Sequence, residues 1–562
     1  MAQLDTFDFQ APGFYELACI DVKRGGYKTA LEHIDESIFR QYHCMKARAL
    51  KEDILRLLGK NEQADRLRAE SMEIDHLYDR RPEKINHNTL IELVNDKYEA
   101  GLYKQGIDFA LSWIEAQKGR GTDDKDIYPL VYYYIAYGYM LLENAKSVQA
   151  SNLTASKDVQ MQADAVQNTV AQAQDETDGT ACSMAEKYAL LAEDAVAAGC
   201  FPHRMEDYIV LSALAEKFDL GMARFYLGCL LYDKRVYDEA VANYEAAREK
   251  CPDFPTVHRN LTLAYYNVYN EPQKAYTELV KAFTLDESDS RVYMELDQLR
   301  RRMNFPIEER IADMEKHMEL VCDRDDMYLE YVTVLNTVGR NKEALELINK
   351  RHFHQWEGGE GKVAAQYLTS LYMLAKKAFD EEKYDEAKKL LVQATADYPH
   401  NLGEGKLESA QENNLYYLLG VVCDRLGEKD YARECFVKAR DGLSEPVGMM
   451  YYNDQPPEMI YYQGLAFDKL GDRAQADIRF NKLIDYGKEH IDDDVRTDYF
   501  AVSLPDLLIF EENLSERNKK HCLFMMSLGY KGLRMNEEYR KCADKLLAMD
   551  NAHQGIRVHG EK

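Results

Sequence analysis

The residues best suited to chemistry crowd into one connecting stretch. His352, His354, Trp356, Glu357, Glu360 and Lys362 fall within eleven positions, with Gly358, Gly359 and Gly361 between them. A second stretch places Asn401, Glu404 and Lys406 around Gly403 and Gly405, so Gly-Glu-Gly-Lys occurs twice. A third holds Tyr452, Asn453, Asp454 and Gln455, and a fourth runs from Asp498 through Asp506 to Asn518 and His521. Aromatic faces beside carboxylates, carboxamides and ammonium groups suit a polyhydroxylated ligand such as a sugar. The same mixture suits a peptide or a docked domain. The bland reading has equal standing: Gly and Asn permit tight turns, while Glu and Lys cap helix ends.

Other chemistries find less support. A phosphate-binding loop needs a glycine five residues before its Gly-Lys pair and a hydroxyl residue after it. Trp356 and His400 stand at the first position here, and Val363 and Leu407 follow the lysines. His352 and His354 with Glu357 or Glu360 offer metal-type ligands, but a held site needs three or four. No metal or cofactor is expected. No Ser-His-Asp or Cys-His arrangement can be read from the spacing, and carboxylates are too abundant to single out a catalytic pair.

The elements that must carry these loops are helices in pairs. Leu227, Gly228, Leu231, Tyr237, Ala240, Tyr244, Ala247 and Pro252 form one frame. Leu419, Gly420, Cys423, Gly427, Ala432, Phe436 and Ala439 repeat it, as do Gly464, Phe467, Gly471, Ala476, Phe480 and Leu483. A further copy runs from Leu374 through Ala378, Tyr384, Ala387 and Leu391 to Pro399. Antiparallel helices approach closely only where small residues face the partner, and large residues fill the space beside the crossing. Unrelated amphipathic helices would not repeat small and large residues in one order. This order is that of the tetratricopeptide repeat. Weaker copies begin near Gly26, Gly59, Gly101, Leu261 and Gly339, and Leu528 to Leu547 forms a charged terminal cap. The fold class expected is all-α, a right-handed superhelical solenoid of tetratricopeptide-type helix pairs.

Four regions follow. Residues 1–145 are N-terminal helical repeats and 146–182 a polar low-complexity insert. Residues 183–350 are central repeats, and 351–562 are C-terminal repeats with long connections. Between Ser147 and Thr180 there are no aromatic residues and few large apolar ones, too few to fold alone. Two gapped Gly-Glu-Gly-Lys loops one long repeat apart should lie side by side on one edge of the array.

Composition limits the partners. Lys plus Arg is 71 against 98 for Asp plus Glu, a formal charge of −27, which repels nucleic-acid backbones and anionic membranes. The 40 tyrosines fit stacked helices, where a ring can be buried while its hydroxyl stays at a wet groove. Eleven scattered cysteines with no C-x-x-C pair read as reduced, buried thiols of a cytoplasmic protein. The first residues carry no secretory pattern. Ile127 to Leu142 is too short to span a bilayer, and its six tyrosines suit a packed helix.

Phe353 to Lys362 resembles a signature of large bacterial tetratricopeptide-repeat proteins. Asn401 to Lys406, Tyr451 to Pro456 and Tyr499 to Asp506 are similar to its companions, as are Tyr128 to Tyr134, Leu230 to Lys234 and Cys251 to Val257. In that family the repeats usually follow an N-terminal domain of unknown function, a β-sandwich related to sugar-processing proteins. The resemblance implies a separate domain of that kind as partner, because this chain begins in the repeats. Two functions are therefore expected to compete. One is a non-catalytic scaffold binding a protein partner or docked domain. The other is the accessory half of a carbohydrate-active protein, with the four loops converging around Trp356.

Overall fold

The computed structural model describes residues 10–75, 79–155, 181–354, 356, 358–396, 398–399, 402–406, 410–448, 454–496 and 509–560, and the side chains of all but 147–155 and 181–183 among them. Every regular element among these is helical. The chain divides into two compact units, Met1–Val257 and His258–Lys562.

In the first unit, Gln10–Lys23 packs on Tyr27–Arg40, Met45–Leu57 on Asn61–Ile74, and His87–Glu99 on Tyr103–Lys118. Pro129–Ala155 packs on Ala181–Asp194, and Gly221–Asp233 on Tyr237–Lys250. The second unit continues the scheme. Asp325–Thr337 pairs with Asn341–Lys350, Lys362–Asp380 with Tyr384–Ala396, and Asn413–Arg425 with Lys429–Arg440. Pro457–Lys469 then pairs with Arg473–His490, and Leu514–Gly532 with Asn536–Met549. Successive pairs also touch, so each unit is an array of stacked helix pairs with a core running between them.

The small and large positions of the repeat meet as the sequence predicts. A Cβ on Gly228 would sit 2.5 Å from the Tyr244 ring, one on Gly420 2.7 Å from Phe436, and one on Gly464 2.5 Å from Phe480. Each aromatic ring thus lies directly on the backbone of the opposing helix, closer than an alanine there would permit. Gly427 and Gly471 close their first helices with φ of 81° and 88°. Arg235, Glu382 and Arg534 adopt the same left-handed conformation in other repeats without glycine.

The tyrosine-rich helix is packed, with Tyr137 and Tyr139 half-buried and three further tyrosines wholly enclosed. Tyr132, Tyr133 and Tyr134 are all fully buried. Tyr133 Oη donates to Glu193 at 2.6 Å, and Tyr134 Oη to Asp207 at 2.8 Å. Asp207 also accepts from the backbone N–H groups of His203 and Arg204, at 2.9 and 3.0 Å. The carboxylates offset the cost of burying these phenols, because Tyr132, Tyr133 and Tyr134 each find an acidic partner. No helix among the described residues is long and apolar enough to cross a membrane. The helix Pro129–Ala155 runs into the first residues of the polar insert, so its start is helical, and 156–180 lie outside the described residues.

Candidate functional site

The two Gly-Glu-Gly-Lys loops meet, as their spacing predicts. Phe353 N–H donates to the Leu402 carbonyl at 2.9 Å. Gly403 has φ of 87°, and a Cβ there would fall 1.8 Å from the Phe353 carbonyl oxygen, so the close approach requires glycine. Glu404 then caps the helix Lys362–Asp380. Its two carboxylate oxygens accept from Gly361 N at 2.6 Å and Val363 N at 3.1 Å. That helix has no side-chain cap of its own, since Gly361 stands at its N-cap position. Lys406 is held by Glu412 at 2.6 Å, and Tyr398 Oη donates to the Glu404 carbonyl at 2.8 Å.

Trp356 is half-buried on its own loop: a Cβ on Gly359 would lie 2.3 Å from the indole. His354 is exposed and bonds Asp325 through both its ring (3.0 Å) and its backbone N–H (2.8 Å). Glu360 and Lys362 are exposed at the helix start. Lys362 is nevertheless crowded by protein. Burial pulls its pKa below the ordinary lysine range, against Glu330 and with Arg301, Glu360 and Arg517 as further charged neighbours. Glu357 and Asn401 lie outside the described residues.

The other two loops meet each other. Gln455 is buried and donates to the Leu443 carbonyl at 3.1 Å, as does Gln463 at 2.8 Å. His521 Nε2 donates to the Val447 carbonyl at 2.8 Å, and burial depresses its pKa to about 4, so the ring is neutral. Asp454 is half-buried and interacts electrostatically with His521. Asn518 is buried and donates to the His490 carbonyl at 2.6 Å. Tyr452, Asn453 and Asp506 lie outside the described residues. The candidate residues therefore form two braced pairs of loops. Glu404, Lys406, Gln455, Asn518 and His521 each direct polar atoms to the protein itself.

What the sequence reading missed is a segment of the second unit, Asp550–Gly560, laid across the first helices of successive pairs. It leaves the helix Asn536–Met549 at Asp550, turns, and ends in one helical turn, Ile556–Gly560. Asn551 bonds Asn304 through its backbone N–H (2.9 Å) and its carboxamide (2.8 Å). Gln554 and Gln366 exchange carboxamide hydrogen bonds at 2.9 and 3.1 Å. Gln366 is itself fixed by Asn336, which in turn accepts from Asn341 and Ser370. Ile556 and Val558 are buried. His559 Nδ1 lies 3.1 Å from Tyr462 Oη, which is 2.6 Å from Tyr372 Oη.

Burial shapes the charges here. His559 is pushed down to about 3, and Glu458, whose carboxylate lies 3.9 Å from His559 Nε2, is pushed up to about 7. Lys531 donates to the carbonyls of His559 (3.0 Å) and Gly560 (2.7 Å), and Tyr539 Oη to Gly560 (2.7 Å). The available signal was the run of polar residues, Asn336, Asn341, Gln366 and Ser370, at helix positions that the periodicity marks as buried.

The first unit presents a different surface. A cleft of ≈ 260 Å³ is lined by Tyr208, Ser212, Glu216, Arg224, Glu239 and Asn243 together with the apolar Leu227 and Leu231. The helix that supplies Tyr208 also leaves apolar side chains in water, Met205 at 71% exposure and Ile209 at 48%, and Phe201, at 73%, lies four residues before it in the chain. Met205, Tyr208 and Ile209 share one face of the helix Met205–Phe218, three and four residues apart.

Residues 228–268 match the family model described as TPR repeat, covering the Gly228 frame and the helix that follows it. Two solved structures are similar to the chain. The TPR domain of P58(IPK) is 13% identical, covering 82% of this chain and 98% of its own, with a TM-score of 0.20. Yeast Tom70 is 10% identical, covering 95% of this chain and 98% of its own, with a TM-score of 0.23.

Proposed function

We propose that this protein is a non-catalytic scaffold of tetratricopeptide-type helix pairs that binds a protein partner or a docked domain. The observation that carries the reading is the set of exposed side chains Phe201, Met205, Tyr208 and Ile209 in the first unit, of which Tyr208 also lines the polar cleft. Large apolar side chains in water next to convergent polar groups are the make-up of a protein-binding surface, with an apolar centre and a polar rim. The internal use of Glu404, Lys406, Gln455, Asn518 and His521 supports a positioning role for the long connections.

The test is retention of proteins from an extract of the source cells by the immobilised full-length chain at physiological salt. A variant carrying Phe201→Ser, Met205→Ser and Ile209→Ser serves as control. A protein held by the wild type and lost by the triple variant, with direct binding then measured on the purified pair, supports the proposal. Retention that is absent, or unchanged in the variant, sinks it.

A further inference from the structure

We infer that the face of the second unit covered by Asp550–Gly560 is a peptide-binding groove. Its partner is a short peptide with the chemistry of that segment: two carboxamides, then two spaced β-branched residues, then an imidazole. This rests on the scaffold reading above and adds to it the chemistry of one partner and a competitor within the chain.

The way the segment is held argues for recognition rather than ordinary core packing. Ile556 and Val558 are its buried aliphatic anchors, and the rings of His553 and His559 pack against Phe524, Tyr372 and Tyr462. The remaining contacts are directional. Lys531 and Tyr539 gather the carbonyl oxygens of residues 559 and 560, and Lys376 reaches that of Val558 at 3.5 Å. Contacts of this kind read a main chain whatever its sequence. Side chains are read at three points: Asn551 by Asn304, Gln554 by Gln366, and His559 by Tyr462. Behind them the receptor side is partly ordered: Asn336, held by Asn341 and Ser370, donates to Gln366 Oε1, while Gln366 Nε2 donates to the segment's Gln554. A partly preordered polar surface loses less entropy when a peptide arrives.

The groove is self-occupied because the segment follows directly on the helix Asn536–Met549. A tether that short gives the segment an effective concentration on the order of millimolar, against which any free peptide must compete. The structure therefore holds the groove closed, and a partner of matching chemistry opens it by displacement. Gly555 is the weak point of the closure. A Cβ there would sit 2.8 Å from the Phe524 ring, so a larger residue expels the segment while leaving the groove's own residues intact.

The experiment uses a fluorescent peptide spanning Asp550 to Gly560, blocked at both ends, titrated onto the full chain and read by anisotropy. Two opened variants are compared with the wild type: Gly555→Val, and Ile556→Asp with Val558→Asp. Both should keep the far-UV helical signal and bind the peptide at least about tenfold more tightly than the wild type. Adding Asn304→Gly, which keeps the left-handed backbone at that position and removes the reading carboxamide, should cost the opened chain about tenfold in affinity. The inference is overturned if helical opened variants take up no peptide to 1 mM (~10⁻³ M). Collapse of the helical signal in both variants overturns it equally, because the segment is then part of the core. In either event, retention of a partner through Phe201, Met205 and Ile209 leaves the scaffold reading standing.

Discussion

Replacing Glu404 decides whether the Gly-Glu-Gly-Lys loops brace the array or wait for a ligand. Glu404 supplies both acceptors to the first turn of Lys362–Asp380, from a connection some forty residues further along the chain. In Glu404→Ala, the Gly361 and Val363 N–H groups lose a charged partner. A lost cap costs about 0.5–2 kcal/mol. The missing negative charge at a helix N-terminus adds about 0.3–1 kcal/mol. A total of about 2 kcal/mol follows, since water reaches half-buried Gly361 and offsets part of the loss. Glu404→Gln keeps an acceptor and loses the charge, so it should cost roughly half as much.

Two assays read this. Urea unfolding followed by circular dichroism gives the global loss, and hydrogen exchange gives the local one. A cost of about 2 kcal/mol should speed exchange at the amides of Gly361 and Val363 by about thirtyfold if they open locally. The lysine stem of Lys406 and the Tyr398 hydroxyl should hold the loop's general position, so the rest of the exchange pattern should persist. The reasoning is refuted if Glu404→Ala stays within about 0.5 kcal/mol of the wild type and exchange at these two amides is unchanged. Glu404 would then be free for a ligand.

Three further outcomes are expected. Arg310 is buried and bidentate to buried Asp297 at 2.9 and 2.7 Å, with Glu330 at 2.8 Å. Burial alone would lower its pKa, but these carboxylates more than compensate and hold it charged. Arg310→Met should therefore cost about 3–5 kcal/mol in urea unfolding, and Arg310→Met with Asp297→Leu should recover most of it. Acid should weaken the second unit through His521. Its folded pKa of about 4 lies below the free value of 6.5, so its contribution is complete above pH 6.5 and is lost as pH falls towards 4. The loss is about 2 kcal/mol by pH 5, and a His521→Gln variant should show a flatter stability profile across that window. Gly464→Ala should cost about 1–3 kcal/mol by driving a methyl into the Phe480 ring, and Phe480→Leu in the same chain should relieve part of it. Thermal melts of the single and double variants check this.

The helix pairs were legible because their packing is local. Gly228 and Tyr244 are sixteen residues apart, and the ring of one lies on the backbone of the other, so the repeat has to record both. The meeting of the two Gly-Glu-Gly-Lys loops was legible for the same reason, since adjacent repeats bring equivalent connections together. The role of the loop residues was less so. A carboxylate that caps a helix and one that awaits a sugar look identical in a sequence, and only the placement of Gly361 and Val363 N–H groups separates them for Glu404.

The segment Asp550–Gly560 was not legible from its own residues, and the cause is range. Asn551 meets Asn304 across 247 positions, and Gln554 meets Gln366 across 188. In a stacked array each pair encodes only its neighbours. Where the path carries a distant segment depends on small rotations summed over many repeats, which no local pattern states. The residues that receive the segment do leave a trace. Asn336 and Gln366 occupy buried helical positions where a carboxamide is costly unless something answers it. The answer comes partly from each other and partly from Gln554, so the polar ladder inside the helices is completed by a segment from outside the repeat pattern. A buried carboxamide in an otherwise apolar repeat position is thus the place to look for a long-range occupant.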